Sequence, residues 1–410
     1  MKKPCVAVLT TCDTKGKEAK YLKDNIMRQG LDALVIDTGI LGDPVAVKPD
    51  CTKHQIAELA GYTIEEVIAT GSRGAAVELM QKGLYKAVRS LYEDGRIDGL
   101  IALGGAEGSV LAAVAMEALP MGVPKLLISP IASGNHRFNE IVRNNDAMVM
   151  HSIIDILGIN SISRVIFDNA IGAITGTVKS RAEVRTENED KKRIGITILG
   201  TVTEAVKNYI VPPLEEAGYE VLTFHANGVG GDCMDKLIEE DYFDGTIEYC
   251  INEMVSMHFG GFHIPSGERM KAAMKKNIPT IITPGCADLV ATGRVETLTE
   301  EQKTRQLYHH NPEITLYRIN KEEMRTVAQT VAERMNLSPG NVKLFFPAKG
   351  FCSQDIEGGD LWDKEGDMVF LDVVKEKLRD DIEIIEMDAH INEKEFCEAV
   401  VEAMLRMLNK

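Results

Sequence analysis

Glycines and a serine directly follow a short apolar run in the first half of the chain. Leu100–Leu103 has the composition of a buried strand, and Gly104–Ser109 (GGAEGS) separates it from the helical spacing of Val110–Leu119. Glycines let the backbone approach a ligand closely, and a helix N-terminus offers free N–H groups and partial positive charge. The stretch therefore predicts an anion cradle built from Gly104, Gly105, Gly108 and Ser109.

The glycine pattern matches neither of the two common phosphate-loop fingerprints. It is not G-x-G-x-x-G, and no lysine follows it at the spacing of a Walker loop. It is closer to the GGDGS/T loop of phosphofructokinase-like kinases, with one residue more. A tight strand-to-helix turn that holds no ligand is the alternative interpretation. Within the stretch, Glu107 would either bind a metal–phosphate complex or point to solvent.

Three further loops are predicted to lie at the same edge of the sheet. Thr11–Lys15, Gly71–Gly74 and Ser133–Asn135 carry hydroxyl groups, glycines and two cations that could contact phosphate. Asp37 ends a strand where dinucleotide sites place a ribose-binding acid. Each residue also has a structural alternative: Asp13 and Thr14 could cap a helix, Arg73 could form a surface ion pair, and Asp37 could lie in a turn. The candidate binding residues of these loops and of this strand end are Thr11, Asp13, Thr14, Lys15, Asp37, Ser72, Arg73, Gly74, Ser133 and Gly134.

Histidine and aspartate side chains mark a second candidate site in the other half of the chain. His225 follows the strand-like run Tyr219–Phe224 and opens the glycine-rich stretch His225–Asp232, and His263 comes later, after two glycines. Imidazole and carboxylate groups at loop positions suit general acid–base catalysis, whereas a hydrogen-bonded structural histidine is the alternative. The spacings do not predict a metal site. The catalytic candidates are therefore His225, Asp232 and His263.

The elements that position these residues repeat along the chain. Cys5–Thr10 is an apolar, β-branched run that predicts a buried parallel strand, Lys17–Gln29 has helical spacing, and Ala33–Asp37 predicts the next strand. The same strand–helix–strand order returns after residue 190 in the runs Ile194–Leu199, Thr203–Ala217 and Tyr219–Phe224.

Later runs of the two halves also correspond. Arg96–Gly105 parallels Tyr242–Cys250, and Val123–Gly134 parallels Ile278–Leu289. This agreement indicates an internal duplication, and alternating strands and helices predict parallel sheets covered on both faces. The sequence thus predicts an α/β protein of two doubly wound, Rossmann-like subdomains. The predicted boundaries are a nucleotide-binding domain at 1–182, a charged linker at 183–192 and a second domain at 193–410.

The composition of the chain excludes some classes of binding partner. The chain has 410 residues and a formal net charge of -16, a field that repels nucleic acid and anionic lipid. Eight scattered cysteines form no C-x-x-C pair, which favours reduced, buried thiols and a cytoplasmic location. No apolar run approaches the length of a membrane span. A small molecule is therefore the expected ligand, with neither nucleic acid nor membrane as a partner.

The order of the motifs resembles a known family. The first half contains TCDTKGKE, GSRGAAV, ALGGAEGS and MHSIIDILGINSISRVIFDNA, and the second contains FHANGVGGDCMD, TPGCADL and MDAHIN. Taken in order over Val6–Ala399, they resemble the uncharacterised bacterial family related to the ATP-binding N-terminal domain of the plant tomato-mosaic-virus resistance protein. The resemblance implies two doubly wound subdomains, ATP binding and homodimers. It brings no established reaction.

Three functional hypotheses result. The first is a nucleotide-binding protein that holds ATP, with or without Mg²⁺, on the glycine-rich loops of the first domain. The second is an enzyme that acts on a small carbonyl or carboxylate metabolite in the inter-domain cleft, with His225 as acid or base. The third is a regulatory dimer whose geometry depends on nucleotide occupancy. Saturable ATP binding without turnover would separate the first and third hypotheses from the second.

Overall fold

Two compact units, Met1–Glu187 and Asn188–Lys410, make up the chain. The computed structural model describes residues 2–132, 142, 144–183 and 191–409. Most of the linker predicted at 183–192, and the candidate residues Ser133 and Gly134, lie outside the described residues.

The first unit is built on a five-stranded sheet with strand order β2-β1-β3-β4-β5, in which every pair is parallel. Its strands are β1 (Cys5–Thr10), β2 (Asp32–Asp37), β3 (Gly99–Leu103), β4 (Lys125–Ser129) and β5 (Met148–His151).

Within the described part of this unit, helices pack on the two faces of the sheet. They are α1 (Cys12–Arg28), α2 (Lys53–Ala60), α3 (Ile64–Ala69), α4 (Arg73–Glu93), α5 (Ala106–Glu117) and α6 (Ser161–Glu183).

The central strand β1 shows why these strands are continuous apolar runs. Val6 and Val8 pack with residues of α1 and α6, whereas Ala7 and Leu9 pack with residues of α2, α4 and α5. Successive side chains of a strand point to opposite faces, and helices cover both faces of this sheet. Every residue of β1 is therefore buried, as the unbroken apolar run predicts.

The second unit repeats this plan with a six-stranded parallel sheet in the order β14-β13-β9-β8-β6-β7, together with a smaller antiparallel sheet in the order β10-β12-β11. The strands are β6 (Arg193–Ile198), β7 (Glu220–His225), β8 (Gly245–Glu248), β9 (Thr280–Ile282), β10 (Leu289–Thr292), β11 (Leu307–Asn311), β12 (Ile314–Arg318), β13 (Val342–Pro347) and β14 (Glu383–Met387).

Helices of the second unit pack with this sheet into two apolar clusters. They are α7 (Gly200–Ala205), α8 (Val211–Glu216), α9 (Val229–Glu239), α10 (Asn252–Phe259), α11 (Lys271–Lys276), α12 (Lys321–Met335), α13 (Lys364–Lys377) and α14 (Lys394–Leu408). A π-helical segment, Val206–Ile210, joins α7 to α8. It ends two residues before Pro212, and Pro212 and Pro213 have no N–H to donate to a regular helix, so the ladder of hydrogen bonds is interrupted here.

The same strand order in both sheets confirms the doubly wound fold. In each unit the first strand lies inside the sheet, the second pairs on one side of it, and the third and fourth follow on the other side. The runs that correspond in the sequence occupy equivalent places, since β3 matches β8 and β4 matches β9. In such sheets the chain reverses its winding next to the first strand, and ligands bind at the carboxyl ends of the strands there.

Two helices begin earlier than the apolar spacing predicts. Helix α1 starts at Cys12 rather than Lys17, with an irregular backbone at Lys15, and α5 starts at Ala106 rather than Val110. The first turns, Cys12–Lys15 and Ala106–Ser109, consist mainly of small, polar and charged residues, so no apolar spacing marks them as helical. Many of the residues predicted as loops therefore form first helical turns. Among the described residues, no helix has the length and apolar character needed to span a membrane.

Candidate functional site

A cleft of about 800 Å³ lies in the first unit, at the carboxyl ends of β1, β2 and β3. The loop after each of these strands contributes to its wall, as do the start of α4 and Asp155. This is the place where the winding of the sheet reverses, between β1 and β3. The predicted binding residues that the structure brings together here are Thr11, Asp13, Thr14, Lys15, Ser72, Arg73, Gly104, Gly105 and Gly108.

Unpaired backbone N–H groups line one side of this cleft. Gly104 donates to the carbonyl of Ile128 (3.2 Å), and Ser109 donates to the carbonyl of Gly105 (2.9 Å). Within the described residues, the N–H groups between them, in Gly105–Gly108, have no hydrogen-bond acceptor. Exposed N–H groups at the start of a helix suit an anion, and these four lie where the sequence predicts a cradle.

Glycine is required at one position of the cradle and leaves space at the next. A Cβ on Gly104 would lie 2.7 Å from the Cα of Gly108, which is too close for any side chain. A Cβ on Gly105 would meet no atom within 4 Å. Gly104 therefore makes the tight turn, whereas the absence of a side chain at Gly105 keeps the cleft open.

Two other helices begin at the same cleft. Helix α1 has 17 residues and starts after Thr11, and α4 has 21 residues and starts after Ser72, whose hydroxyl accepts the N–H of Ala75 (3.4 Å). Together with α5, three helix N-termini contribute to the wall of one cleft. Each carries about half a positive charge, which gives the cleft a local source of positive potential in a chain that is acidic as a whole.

Charged side chains of both signs lie in the cleft. The Lys15 ammonium donates to the carbonyl of Ile156 (3.0 Å), and the Arg73 guanidinium pairs with Glu107. Asp13 accepts the N–H of Gly42 through Oδ2 (3.3 Å), while its Oδ1 is buried and has no partner among the described residues. A carboxylate oxygen in that state is suited to a cation that a ligand brings with it.

Asp37 lies outside the lining of the cleft, although the sequence predicts a ribose contact for it. Its carboxylate is buried and accepts the N–H groups of Cys12 and Gly39, each at 2.9 Å. These two bonds tie the loop after β2 to the start of α1. The structure thus gives Asp37 the role of holding two walls of the cleft together.

Ser109 and Gly74 also lie outside the lining. Ser109 is the fourth residue of α5, so its N–H bonds within the helix, and its buried hydroxyl lies 2.8 Å from the Ser129 hydroxyl. Gly74 lies within the first turn of α4. The hydroxyl of Thr14 meets that of Thr11 (2.9 Å) instead of capping α1. The prediction that Ser109 lies at the helix N-terminus is wrong, because α5 begins three residues earlier, at Ala106.

Apolar residues of the cleft are absent from the sequence-based prediction. Ile40 and Leu41, which follow β2, and Ile68 at the end of α3 contribute to the wall, and Leu41 is 75% exposed. Its place depends on the loop after β2 folding back over α1, where Val45 donates to the carbonyl of Cys12 (2.9 Å).

In the second unit, His225 and His263 approach each other. His225 is the last residue of β7, and its ring lies 6.4 Å from the ring of His263, edge to face. Partial burial lowers the pKa of His225, and burial together with His225 lowers the pKa of His263 to about 4. Both rings are therefore neutral at pH 7. Asp232 instead accepts the N–H and hydroxyl of Ser266 (2.8 and 2.9 Å).

A buried asparagine fixes the tautomer of His263. The Asn252 amide nitrogen donates to the carbonyls of Cys286 (2.8 Å) and Leu289 (2.7 Å), which leaves its oxygen to accept from the His263 Nδ1, 2.7 Å away. The proton of the neutral ring therefore lies on Nδ1, and Nε2 carries a lone pair. No group of three or more metal-binding side chains occurs in the described parts of the chain.

The second glycine-rich loop is closed by a carboxylate of the protein. Glu253 Oε1 accepts the N–H groups of Gly228 (2.7 Å) and Gly231 (3.1 Å), and its Oε2 pairs with the fully buried Arg269 (2.6 Å). Asn227 accepts the N–H of Gly230 (3.1 Å). The N–H groups of Gly228 and Gly231 are thus occupied, in a loop that follows β7 and is the counterpart of the loop after β2. Nothing in the sequence spacing connects Glu253 and Arg269 to this loop.

These features define a tandem, doubly wound α/β protein whose first unit carries an open, glycine-lined cleft. The chain belongs to the uncharacterised protein family UPF0261. The N-terminal domain of that family matches residues 4–183, and its C-terminal domain matches residues 191–408. The resemblance deduced from the motifs is confirmed.

Relatives extend from bacteria to a plant. A UPF0261 protein of Clostridium tetani is 38% identical over 407 residues, 99% of both chains. One from Brucella suis is 33% identical over 393 residues, 96% of this chain and 93% of its own. The ToMV resistance protein Tm-1(GCR237) of Solanum lycopersicum is 29% identical over 432 residues. That match covers 99% of this chain and 56% of the tomato protein.

Solved structures show only distant likeness. The UDP-GlcNAc 2-epimerase of Methanocaldococcus jannaschii, in complex with UDP-GlcNAc and UDP, is 10% identical, with a TM-score of 0.21 over 100% of this chain and 93% of its own. The S. aureus MnaA–UDP co-structure is 9% identical, with a TM-score of 0.23 over 99% of this chain and 97% of its own. Such scores carry no information about the ligand of this cleft.

Proposed function

We propose that the first unit binds a nucleotide, ATP, with its phosphates on the N–H groups of Gly105–Gly108. The observation that carries the proposal is this set of unpaired N–H groups at the start of α5, in a cleft where α1 and α4 also begin. Phosphate is the anion that such helix starts favour. The net charge of -16 makes a local source of positive potential necessary, and the helix starts supply one.

The remainder of the cleft suits the other parts of a nucleotide. Ile40, Leu41 and Ile68 offer an apolar wall to the base. Asp13 and Asp155 offer carboxylates to Mg²⁺, which usually binds to one or two protein carboxylates together with the phosphates of its nucleotide. This arrangement agrees with a metal ion that arrives with the nucleotide, because no ready protein cage occurs among the described residues.

Isothermal titration calorimetry with ATP, in the presence and absence of Mg²⁺, tests the proposal. Inorganic tripolyphosphate and adenosine are the matched probes, because each carries only one part of the ligand. Saturable one-site binding of ATP that is tighter than the binding of either part is expected. The absence of saturable heat at millimolar ATP, with or without Mg²⁺, would reject the proposal.

A second candidate function is proton transfer at His225 and His263. The observation that favours it is the fixed tautomer of His263, whose Nε2 carries a lone pair, in a ring that lies 6.4 Å from the ring of His225. In a small carbonyl or carboxylate substrate, one imidazole would take a proton from the carbon beside the carbonyl, hold it as imidazolium and return it.

Exchange of solvent deuterium into the carbon-bound hydrogens of such metabolites, followed by mass spectrometry, tests this candidate. His225→Asn should slow any turnover about 100-fold, as expected for a general acid or base. An undiminished rate in this variant would assign the reaction to other residues.

The family resemblance also suggests a homodimer that responds to the nucleotide. Light scattering after size exclusion, with and without ATP, measures this directly. Twice the mass of one chain is expected. The mass of a single chain at every concentration, with and without ATP, would reject the dimer.

A further inference from the structure

An ion pair in the lining of the cleft joins the first turn of α4 to the first turn of α5. The Nε and a terminal nitrogen of Arg73, the first residue of α4, contact Oε2 of Glu107, the second residue of α5. The side chain of Arg73 is 83% exposed, and that of Glu107 is 23% exposed. A carboxylate of the protein therefore lies beside the N–H groups of Gly105–Gly108, where the ligand's phosphate is expected.

The two partners differ in how well they suit their places. A carboxylate at the start of a helix is stabilised by the helix dipole, and a cation at the same place is destabilised. Glu107 is thus stabilised at the start of α5. The unfavourable interaction of Arg73 with the dipole of α4 is offset mainly by its ion pair with Glu107. Arginine has five donors, and the described contacts of Arg73 use two of them on a single oxygen.

We propose that Glu107 is a substitute anion, which holds Arg73 beside the cleft and gives it up to the ligand's phosphate. The inference rests on the proposed nucleotide function and adds the residue that limits affinity. A phosphate on the N–H groups of Gly105–Gly108 is repelled by the Glu107 carboxylate and attracted by Arg73. The guanidinium therefore moves from one anion to the other, which forms a charge-assisted contact to phosphate.

A double-mutant cycle tests the exchange, with ATP and inorganic tripolyphosphate as the probes. The four proteins are the natural chain, Glu107→Gln, Arg73→Gln and the double variant, and calorimetry at constant ionic strength gives each dissociation constant. Glu107→Gln should tighten binding about five- to tenfold, because the pair no longer has to break and the repulsion is gone. Arg73→Gln should weaken binding by a similar factor.

The sign of the coupling decides the proposal. If Arg73 is exchanged, the gain from Glu107→Gln is larger in the natural chain than in the Arg73→Gln background, because only with the arginine present is a cation released. If Arg73 stays on Glu107 and merely neutralises it, the gain is larger in the Arg73→Gln background, where the carboxylate is unshielded. An equal or larger gain in that background, or no gain in either, overturns the proposal.

Asp24→Asn is the matched control for the change in net charge. It removes one negative charge of an exposed ion pair, Lys20–Asp24, on α1 of the same unit and outside the lining of the cleft. Its affinity should stay within twofold of the natural chain, and a gain equal to that of Glu107→Gln would assign the effect to net charge and overturn the proposal. All variants should melt close to the natural chain without ligand, because exposed pairs contribute little. If none of the four proteins of the cycle binds ATP, the nucleotide function itself is rejected. If ATP binds with an affinity that is the same with and without the Glu107 carboxylate, only the exchange is rejected.

Discussion

Two adjacent glycines of the cradle have different structural roles. Gly104 permits the turn from β3 into α5, where any Cβ would collide with the backbone of Gly108. Gly105 has an extended backbone, φ −73° and ψ −152°, and open space where a side chain would be. A substitution at Gly105 therefore adds atoms beside the open N–H groups without disturbing the turn.

We expect Gly105→Val to abolish the stabilisation of the first unit by ATP. A ligand at about 100 times its dissociation constant adds about 2.7 kcal/mol, which raises the melting temperature of a unit of this size by roughly 5–10 °C. The branched side chain would occupy the space of the phosphate, so the rise should disappear in differential scanning calorimetry. The unliganded variant should melt within a few degrees of the natural chain.

Gly176→Val is the matched control for that substitution. It lies on α6 outside the lining of the cleft and also has no atom within 4 Å of a Cβ. Its shift with ATP should equal that of the natural chain. A folded Gly105→Val protein that keeps the full shift would place the phosphates elsewhere.

His263 should make the second unit sensitive to acid. Its pKa is about 4 in the folded chain, against 6.5 for an unperturbed histidine, so the unfolded state binds the proton more readily. The resulting stability is complete above about pH 6.5 and is lost as the pH falls toward 4. Between pH 7.5 and 5 the loss should be about 2 kcal/mol.

Urea titrations at several pH values, with the natural chain and His263→Gln compared, measure this loss. Tryptophan fluorescence reports on the second unit alone, because the chain has one tryptophan, Trp362. The variant should lose less free energy of unfolding on acidification than the natural chain. Equal dependence on pH in the two proteins would contradict the lowered pKa.

At the scale of elements, the loop between β7 and α9 depends on a carboxylate rather than on a ligand. Glu253→Ala leaves the N–H groups of Gly228 and Gly231 without their acceptor and removes one partner of the buried Arg269. Breaking a buried ion pair typically costs 3–5 kcal/mol, so the second unit should lose about that much. Glu268→Ala, which removes an exposed partner of Lys271, should change stability little. Trp362 fluorescence in urea measures both, and a small loss for Glu253→Ala would mean that water replaces the carboxylate.

Strands could be predicted better than helix starts, for a physical reason. The run Cys5–Thr10 is unbroken because helices cover both faces of β1, so local composition reflects burial directly. The first turns of α1 and α5 lack the apolar spacing by which helices are recognised, and they were therefore predicted as loops. The antiparallel sheet β10-β12-β11 was also not predicted, because its short strands mix apolar residues with threonine, histidine and arginine.

Residues of the candidate site could be predicted where the residue type and its position after a strand leave few alternative roles. Glycines after β3 and polar residues after β1 lie in the cleft as expected. Asp37 could not be placed by type alone, because an acid at a strand end can bind a ligand or, as here, the N–H groups of Cys12 and Gly39. Ile40 and Leu41 were missed because their position depends on how a long loop folds back, which no local pattern reveals.

At the scale of the whole molecule, the glycine-rich loops of the two units differ in whether their N–H groups are paired. The first unit leaves N–H groups of its glycine loop unpaired within the described residues, whereas the second satisfies those of Gly228 and Gly231 with Glu253. Each unit also has its own buried apolar clusters. A phosphate-bearing ligand should therefore stabilise the first unit and leave the second without direct stabilisation.

We therefore expect ATP to shift one thermal transition and not the other. Far-ultraviolet circular dichroism follows both units, whereas Trp362 fluorescence follows only the second. With ATP at about 100 times its dissociation constant, the transition seen only by circular dichroism should rise by roughly 5–10 °C, because the ligand adds about 2.7 kcal/mol to the unit that binds it. The transition reported by Trp362 should stay within about 1 °C, since independent cores unfold independently. A shift of the Trp362 transition alone would move the nucleotide site to the second unit, and equal shifts of both would show that the two units unfold as one.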